Sequence, residues 1–536
     1  MMKKAIKKLL AALLAVAMVC AMAIPAFAEN SEGDVDSHHT YSAFQIFKGD
    51  VEGNNIKDFK ISNVDWGSNI INNSDDFLNK LREADHIGPL FTNAKSAQEV
   101  LAVISQWSES DNNSIAFARF VCSYLYPDAN ANPKPVYTDH TGGFNIQEPG
   151  YYLIVDTTYF NPGDFYHAYN SFFLLNVPQA PYVVLVNHKV VKPYVEKEVY
   201  DNQDGTNEAG FGSSADHAIN EEFQFKLTAT LPASPDRAYD YYKEYAVLFN
   251  DTLSNGITYD GLDSVVIKSN GIPYDITNDS SMYEVDDSRL ESDHYFVVGI
   301  PDVKACGAGL NLNDGATITV TYTAHLNDNA AVNSTSGPTD NKNKVQLQYS
   351  NNPRNSAYWG FTPESEVRVY TYQLNNTKYR DDDTTGNELA GAGFRLYSDK
   401  DCTEEQEIKL KKNTTDGTYS PYFGAGAGDE MFSDEHGQFN VKGLDAGTYY
   451  LKETKTPDGY SACADKKIVI SATHTEYNVS LSGESNLNNK IINKKAGGIT
   501  LPSTGGIGTT IFYVVGGGLM VAAIVLLVTK KRMENK

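Results

Sequence analysis

The sequence predicts a mainly β protein of several domains. Tyr is frequent, 34 against 3 Trp, and Gly numbers 41, with many Thr and Val, which favours strands and turns over helices. Apolar and polar residues alternate over stretches such as 41–47, 195–199 and 343–349, the period of a strand that buries one face. Roughly 465 residues lie between a leader and a tail, room for about three domains of ordinary size.

The two ends say where the chain works. Lys3, Lys4, Lys7 and Lys8 precede an apolar segment from Leu9 to about Ile24, and Ala26-Phe27-Ala28 is a small-x-small cleavage site. That is the pattern of a secretory signal peptide, residues 1–28, with the mature chain starting at Glu29 and Cys20 lost with the leader. At the other end Leu501-Pro502-Ser503-Thr504-Gly505 precedes an uncharged apolar run, 507–528, and then Lys530, Lys531 and Arg532. The run is long enough to cross a bilayer as a helix. The basic cluster would hold its end in the cytoplasm.

Composition removes several function classes. A formal net charge of -24 argues against nucleic acid as a partner and suits a solvated extracellular surface. Cys122, Cys306, Cys402 and Cys463 survive maturation without CxxC spacing, so no metal and no cofactor is expected from them. Cys402 and Cys463 could pair as a disulfide; Cys122 and Cys306 read as separate buried thiols. His38 and His39 read as part of a flexible acidic leader rather than as metal ligands. Neither GxSxG nor HExxH occurs, so a hydrolase or metalloprotease is not indicated.

Along the chain, 41–47 reads as a strand, and from Asp75 to Leu125 the pattern turns helical. Phe77, Leu78 and Leu81 fit a 3.6 period, as do Val100, Leu101, Ile104 and Trp107. Ser96 before Glu99 reads as a capping box. Strands resume at 143–146 and 150–156, so the first region, 29–185, is a β-domain with an inserted helical segment. A junction at 182–199 leads into a second region, 186–364. There Lys197 shares a strand face with Val195 and Val199, Asp251 with Phe249 and Leu253, and Asn343 with Val345, Leu347 and Tyr349. Isolated on core faces, the two ions would each cost several kcal/mol. Together they have a chemical solution. Burial lowers the Lys pKa and raises the Asp pKa, so both become neutral. The amine can then attack the Asn carboxamide and expel ammonia.

The third region, 365–495, opens with a long strand over 367–378, a turn at 381–386 and a further strand at 389–396. An EF-hand at Asp381 is rejected, because its twelfth position is Ala392. In 447–460 Tyr449, Leu451 and Glu453 share one face, so Glu453 points where the core should be. Asn493 sits with Ile491 on the last strand, and Lys378 shares its face with Asn376. In the first region Tyr151-Tyr152-Leu153-Ile154-Val155 repeats the frame of 449–453, with Val155 in the place of the acid and Asp156 on the opposite face. No cross-link is expected there by this route; Glu148 is a weaker alternative acid.

These motifs resemble one family. Leu501, Pro502, Ser503, Thr504 and Gly505, with the apolar run and basic tail (496–536), resemble the LPxTG sorting signal of sortase substrates on Gram-positive bacteria. The resemblance implies cleavage after Thr504 and transfer of its carboxyl to an amine. Residues 447–460 resemble the E-box of CnaB-type pilin domains, Tyr-x-Leu-x-Glu-Thr-x-x-Pro-x-Gly-Tyr. The strands around Asp251 and Asn343 are similar to the acid-bearing and closing strands of those domains. The chain thus resembles the backbone pilins of sortase-assembled pili. What this implies is a tandem of immunoglobulin-like, CnaB-type β-sandwiches with self-formed Lys197–Asn343 and Lys378–Asn493 isopeptide bonds, promoted by Asp251 and Glu453. Residues 182–199 resemble the pilin-motif region, which implies Lys189 as the acceptor of the next subunit, with Lys192 as second candidate. Implied partners are a pilus sortase, a housekeeping sortase with peptidoglycan, identical subunits, minor pilins, and a host or microbial surface receptor. A wall-anchored adhesin that does not polymerise is the alternative.

Overall fold

The computed structural model describes residues 18–19, 40–53, 59–108, 111–126, 137–139, 143–157, 172–185, 192–202, 209–234, 237–332, 341–353, 359–475, 478–482 and 485–496. The rest of the leader, Lys189, and everything from 497 onward, including Thr504 and the apolar run, lie outside the described residues. Among the described residues no helix is long and apolar enough to cross a membrane. The fold is mainly β, with several sheets and a helical insert near the N-terminus.

In the first domain the strands Lys60–Trp66, Tyr41–Glu52, Gly150–Asp156 and Phe172–Val177 lie side by side in that order. Met18–Val19 pairs beyond Lys60–Trp66, and Tyr137–Asp139 pairs with Tyr41–Glu52. Three helices, Ser74–Glu83, Ala97–Ile104 and Asn112–Leu125, fall where the 3.6 period predicts them. Ser96 caps the second by accepting from the Glu99 amide at 3.3 Å. The Glu99 carboxylate reaches back to the Lys95 amide at 2.6 Å, one residue beyond the usual partner. Phe77, Leu81, Val100, Phe117 and Val121 from the helices pack on Tyr151, Leu153 and Val155. Tyr152 and Ile154 face a separate small core with Ile146 and Phe173. Both faces are therefore covered, and the whole strand Gly150–Asp156 is buried.

The middle of the chain forms two sheets. One runs Gly210–Gly212, Tyr194–Asp201, Glu222–Leu231, Ala316–Leu326, Ile257–Ser269, Ile272–Asp275. The other runs Ser214–Asp216, Ser365–Tyr370, Asn341–Ser350, Val247–Leu253, Tyr295–Ile300, Glu284–Arg289. Val199, Phe225, Leu227 and Val320 from the first sheet share one core with Phe249, Phe296, Val345 and Leu347 from the second. Strict alternation of buried and half-buried residues along Val247–Leu253 and Ala316–Leu326 is the pattern of a sheet with one face in that core.

Contacts divide the chain into two compact units: Met1–Tyr372 with Gly443–Gly447 and Ile470–Ser485, and the remainder from Gln373. The long strand expected at 367–378 is two strands. Ser365–Tyr370 pairs with Asn341–Ser350 and completes the middle sheet, while Tyr372–Arg380 pairs in parallel with Asn488–Asn493. The expected boundary at 364/365 falls just before Ser365–Tyr370, a strand that pairs with the middle sheet. The strand expected at 389–396 begins only at Gly393. Gly391 has φ +79° and gives its amide to Ser433, so the chain is still turning there. In the second unit, Tyr372–Arg380 lies in a sheet ordered Leu410–Lys412, Tyr419–Pro421, Val441–Leu444, Tyr372–Arg380, Asn488–Asn493. A second sheet is ordered Glu407–Ile408, Gly393–Tyr397, Gly447–Lys455, Lys466–Ile470.

Candidate functional site

Among the described residues, Lys197 and Lys378 are the buried lysines, 2% and 0% exposed. Each is one of the lysines singled out by strand patterning, and each reaches an acid. Lys197 sits on the inner face of Tyr194–Asp201, opposite Leu227. Asp251 and Asn343 stand on adjacent strands of the facing sheet, Asp251 opposite Val345 and Asn343 opposite Leu253. Lys197 Nζ crosses the core to pair with Asp251 Oδ2. It also donates to the Tyr322 hydroxyl at 2.9 Å. Tyr322 in turn donates to Asp251 Oδ1 at 3.2 Å and accepts from Asn343 Nδ2 at 2.5 Å. One phenol therefore touches all three members. Asn343 Oδ1 is buried and accepts no hydrogen bond, at a cost of about 1–3 kcal/mol. Phe225 and Phe296 pack around Tyr322, with ring centroids 5.2 and 5.1 Å away.

This apolar wall sets the protonation. Burial lowers the Lys197 pKa to about 8 despite the opposing pull of Asp251. Burial raises the Asp251 pKa against the pull of Lys197 and Tyr322. Both shifts favour a neutral amine beside a neutral acid, as the sequence predicts. The Tyr322 hydroxyl is pushed well above its ordinary value, by burial first and by the Asp251 charge second, so it stays a donor.

The second unit repeats the arrangement on different elements. Lys378 Nζ donates to Asn493 Oδ1 at 2.6 Å and lies 3.5 Å from Glu453 Oε1. Asn493 Nδ2 donates to the same Glu453 oxygen at 2.6 Å. The Lys378 and Glu453 side chains are both fully enclosed. Burial lowers the Lys378 pKa, opposed by Cys463 and Glu453. Lys378 lies over the Phe394 ring at 5.2 Å. Asn376, on the same face, has its own partners: its amide nitrogen donates to the Phe439 carbonyl at 3.2 Å, and its oxygen accepts from Asn489 at 3.1 Å. It therefore does not compete for the site.

In either triad a deprotonated Nζ would carry a lone pair toward a carboxamide, which Lys378 meets directly and Lys197 through the Tyr322 hydroxyl. Attack on the Asn carbonyl carbon forms a C–N bond, breaks the bond to Nδ2, and releases ammonia carrying one of the amine's protons. The acid can hand a proton to the leaving nitrogen and take one from the lysine, so it ends unchanged.

The Cys402–Cys463 disulfide that the sequence allows is not formed in this structure. Cys402 and Cys463 are free thiols. Cys463 Sγ lies 3.7 Å from Lys378 Nζ, and its backbone amide donates to Glu453 Oε2 at 2.8 Å. Cys402 Sγ instead lies 3.9 Å from Asp465. Cys463 is thus turned toward the triad and not toward Cys402. In the first domain Val155 packs under the helices, and Asp156 is fully buried on the other side of its strand. Of the two acceptor candidates, Lys192 is exposed, and Lys189 falls outside the described residues. Tyr322 was not anticipated. Its only signal is a hydroxyl in the inward register of Ile318, Val320 and Ala324.

Two family models match the chain. Residues 375–485 match the SpaA prealbumin-like fold domain, and residues 493–535 match the LPXTG cell wall anchor motif. The chain therefore carries a prealbumin-like domain and a wall-anchor signal, at the positions of the E-box and of LPSTG. No curated protein matches. Among solved structures, the chain resembles the T6 backbone pilin of serotype M6 Streptococcus pyogenes, at 16% identity over 86% of this chain and 97% of that one, with TM-score 0.46. It also resembles the 35 kDa C-terminal fragment of the major pilin GBS80 of Streptococcus agalactiae, at 21% identity over 56% of this chain and 99% of that one, TM-score 0.40. A third is the major pilin SpaD of Corynebacterium diphtheriae, at 19% identity over 65% of this chain and 77% of that one, TM-score 0.39. The chain is thus similar to major, or backbone, pilins of Gram-positive bacteria.

Proposed function

We propose that this chain is the shaft subunit of a covalent surface pilus, a sortase substrate and not an enzyme. In this reading a pilus sortase cleaves after Thr504 and joins its carboxyl to Lys189 of the next subunit, with Lys192 as second candidate. A housekeeping sortase attaches the finished fibre to peptidoglycan. Minor pilins complete the fibre, and its surface serves adhesion and colonisation. One donor and one acceptor per subunit give a head-to-tail contact that does not close, which is how fibres arise. The middle and C-terminal domains are read as CnaB-type sandwiches that form their own Lys197–Asn343 and Lys378–Asn493 bonds.

The observation that carries this reading is the pair of enclosed lysines, each against an acid and near an asparagine, in a chain that ends in an anchor motif. A buried ion pair is weak as a source of stability, so two of them at matched positions in an export-anchored chain call for a chemical purpose. The test is the intact mass of the recombinant mature ectodomain. Each bond removes one ammonia, about 17 Da, so two bonds remove about 34 Da. Asp251→Ala and Glu453→Ala should each restore about 17 Da. An ectodomain with the unmodified mass in all three proteins would refute the cross-links. The alternative of a non-polymerising wall-anchored adhesin predicts a single band where the pilus reading predicts a ladder that survives boiling in detergent.

A further inference from the structure

A further enclosed polar cluster lies in the first unit, built from residues that neither triad uses. His474, on the short hairpin Ala472–His474 and Val479–Leu481, points Nε2 between two carboxylates: Asp201 Oδ2 at 3.3 Å and Asp216 Oδ1 at 3.6 Å. The three ligand atoms all lie within 4.8 Å of one another. Asp216 is fully buried, and its Oδ1 accepts no hydrogen bond. The outer atoms are held. Tyr372 donates to Asp216 Oδ2 at 2.6 Å, the Asp216 amide donates to Asp201 Oδ1 at 3.2 Å, and Ser214 Oγ meets His474 Nδ1 at 2.8 Å.

We propose that Asp201, Asp216 and His474 form a binding site for a divalent transition-metal cation of the zinc or manganese type. Ligand atoms about 2.1 Å from such an ion stand about 3–4 Å apart, the spacing of both imidazole–carboxylate pairs here. Two carboxylates and a neutral imidazole balance a charge of +2 inside the protein. A hydrogen-bond partner on the far nitrogen of a ligating imidazole, and on the far oxygens of the carboxylates, is the usual outer support of a metal ligand set. Imidazole with carboxylates suits Zn²⁺ or Mn²⁺ better than Ca²⁺. The ion would pin the hairpin carrying His474 to the strands Tyr194–Asp201 and Ser214–Asp216. That tie is reversible, unlike the amide bonds, and it is independent of the pilin reading.

The experiment is calorimetric titration of the purified whole chain with ZnCl₂ and MnCl₂ after EDTA treatment, with CaCl₂ as control, and a Co²⁺ titration read by visible absorption. The expected result is saturable binding at one ion per chain. His474→Gln and Asp201→Asn should each weaken it by at least about tenfold, the lower bound seen even for outer-support losses. His217→Gln should leave it in place, because His217, Glu221 and Asp445 form a different cluster. Circular dichroism checks that the variants fold, and Asp201→Asn keeps the imidazole if His474→Gln does not. Absence of saturable Zn²⁺ and Mn²⁺ binding, or binding unchanged in a folded His474→Gln or Asp201→Asn chain, overturns the site and leaves a proton-bridged ion triplet.

Discussion

At the scale of single residues, the two triads bring together the same residue types, a lysine, an acid and an asparagine, with different wiring. Lys378 reaches its asparagine and acid directly, whereas in the middle domain Lys197 reaches its acid directly and is linked to Asn343 through the Tyr322 hydroxyl. The lysine, acid and asparagine positions were legible because a charged or amide residue in the inward register of a strand is a local anomaly that period-2 patterning exposes. Tyr322 was not legible. An inward tyrosine is ordinary core bulk, and what makes it a positioning group is contact with residues 125, 71 and 21 positions away. Tyr322→Phe keeps the bulk and removes the hydroxyl. Loss of hydrogen bonds to charged or buried partners, about 1.5–3 kcal/mol, should slow Lys197–Asn343 bond formation by about ten- to a hundredfold. Mass spectrometry over time after refolding reads this, and the Lys378–Asn493 bond in the same chain should form at its normal rate. An unchanged rate would leave Tyr322 as packing alone.

Among elements, the informative case is the parallel pair Tyr372–Arg380 and Asn488–Asn493, in which Lys378 stands opposite Ile491 and Arg380 opposite Asn493. The patterning found both strands but not their direction, since alternation says which face a residue takes and nothing about its neighbour strand. It also missed the break at Thr371, where the buried register passes from odd positions, Val367 and Val369, to even ones, Tyr372, Leu374 and Asn376, as the chain changes sheet. The first domain's strand Gly150–Asp156 read correctly as a strand, but its burial on both faces depends on helices supplied by residues 74–125. If Lys378 and Asn493 are joined, Asn493→Ala removes a closure of 115 positions. By analogy with a disulfide loop of that length, the second unit should lose about 4–5 kcal/mol. Denaturant unfolding followed by limited proteolysis should show this unit opening first, with the middle sandwich unaffected.

For the molecule as a whole, the wall-anchor signal was the most legible part. Its motif, apolar run and basic tail depend on local composition and order, and need no tertiary context. The acceptor is less so, because an exposed lysine at a junction looks the same whether or not an enzyme uses it. The polymer reading is tested in cells. Lys189→Arg should abolish the high-mass ladder if Lys189 is the acceptor, with monomer still reaching the wall. Lys192→Arg should leave the ladder intact, and the reverse outcome would move the role to Lys192. A ladder in the double variant would mean that neither lysine accepts.

The parallel pairing has a mechanical reading once Lys378 and Asn493 are bonded. A pull that enters along Tyr372–Arg380 and leaves through Asn493 passes over at the amide and bypasses the 115 positions between. Those residues would span about 390 Å if drawn straight. That slack is withheld, so a stretched thread made of such subunits snaps back or breaks, but it cannot creep longer by paying out this segment.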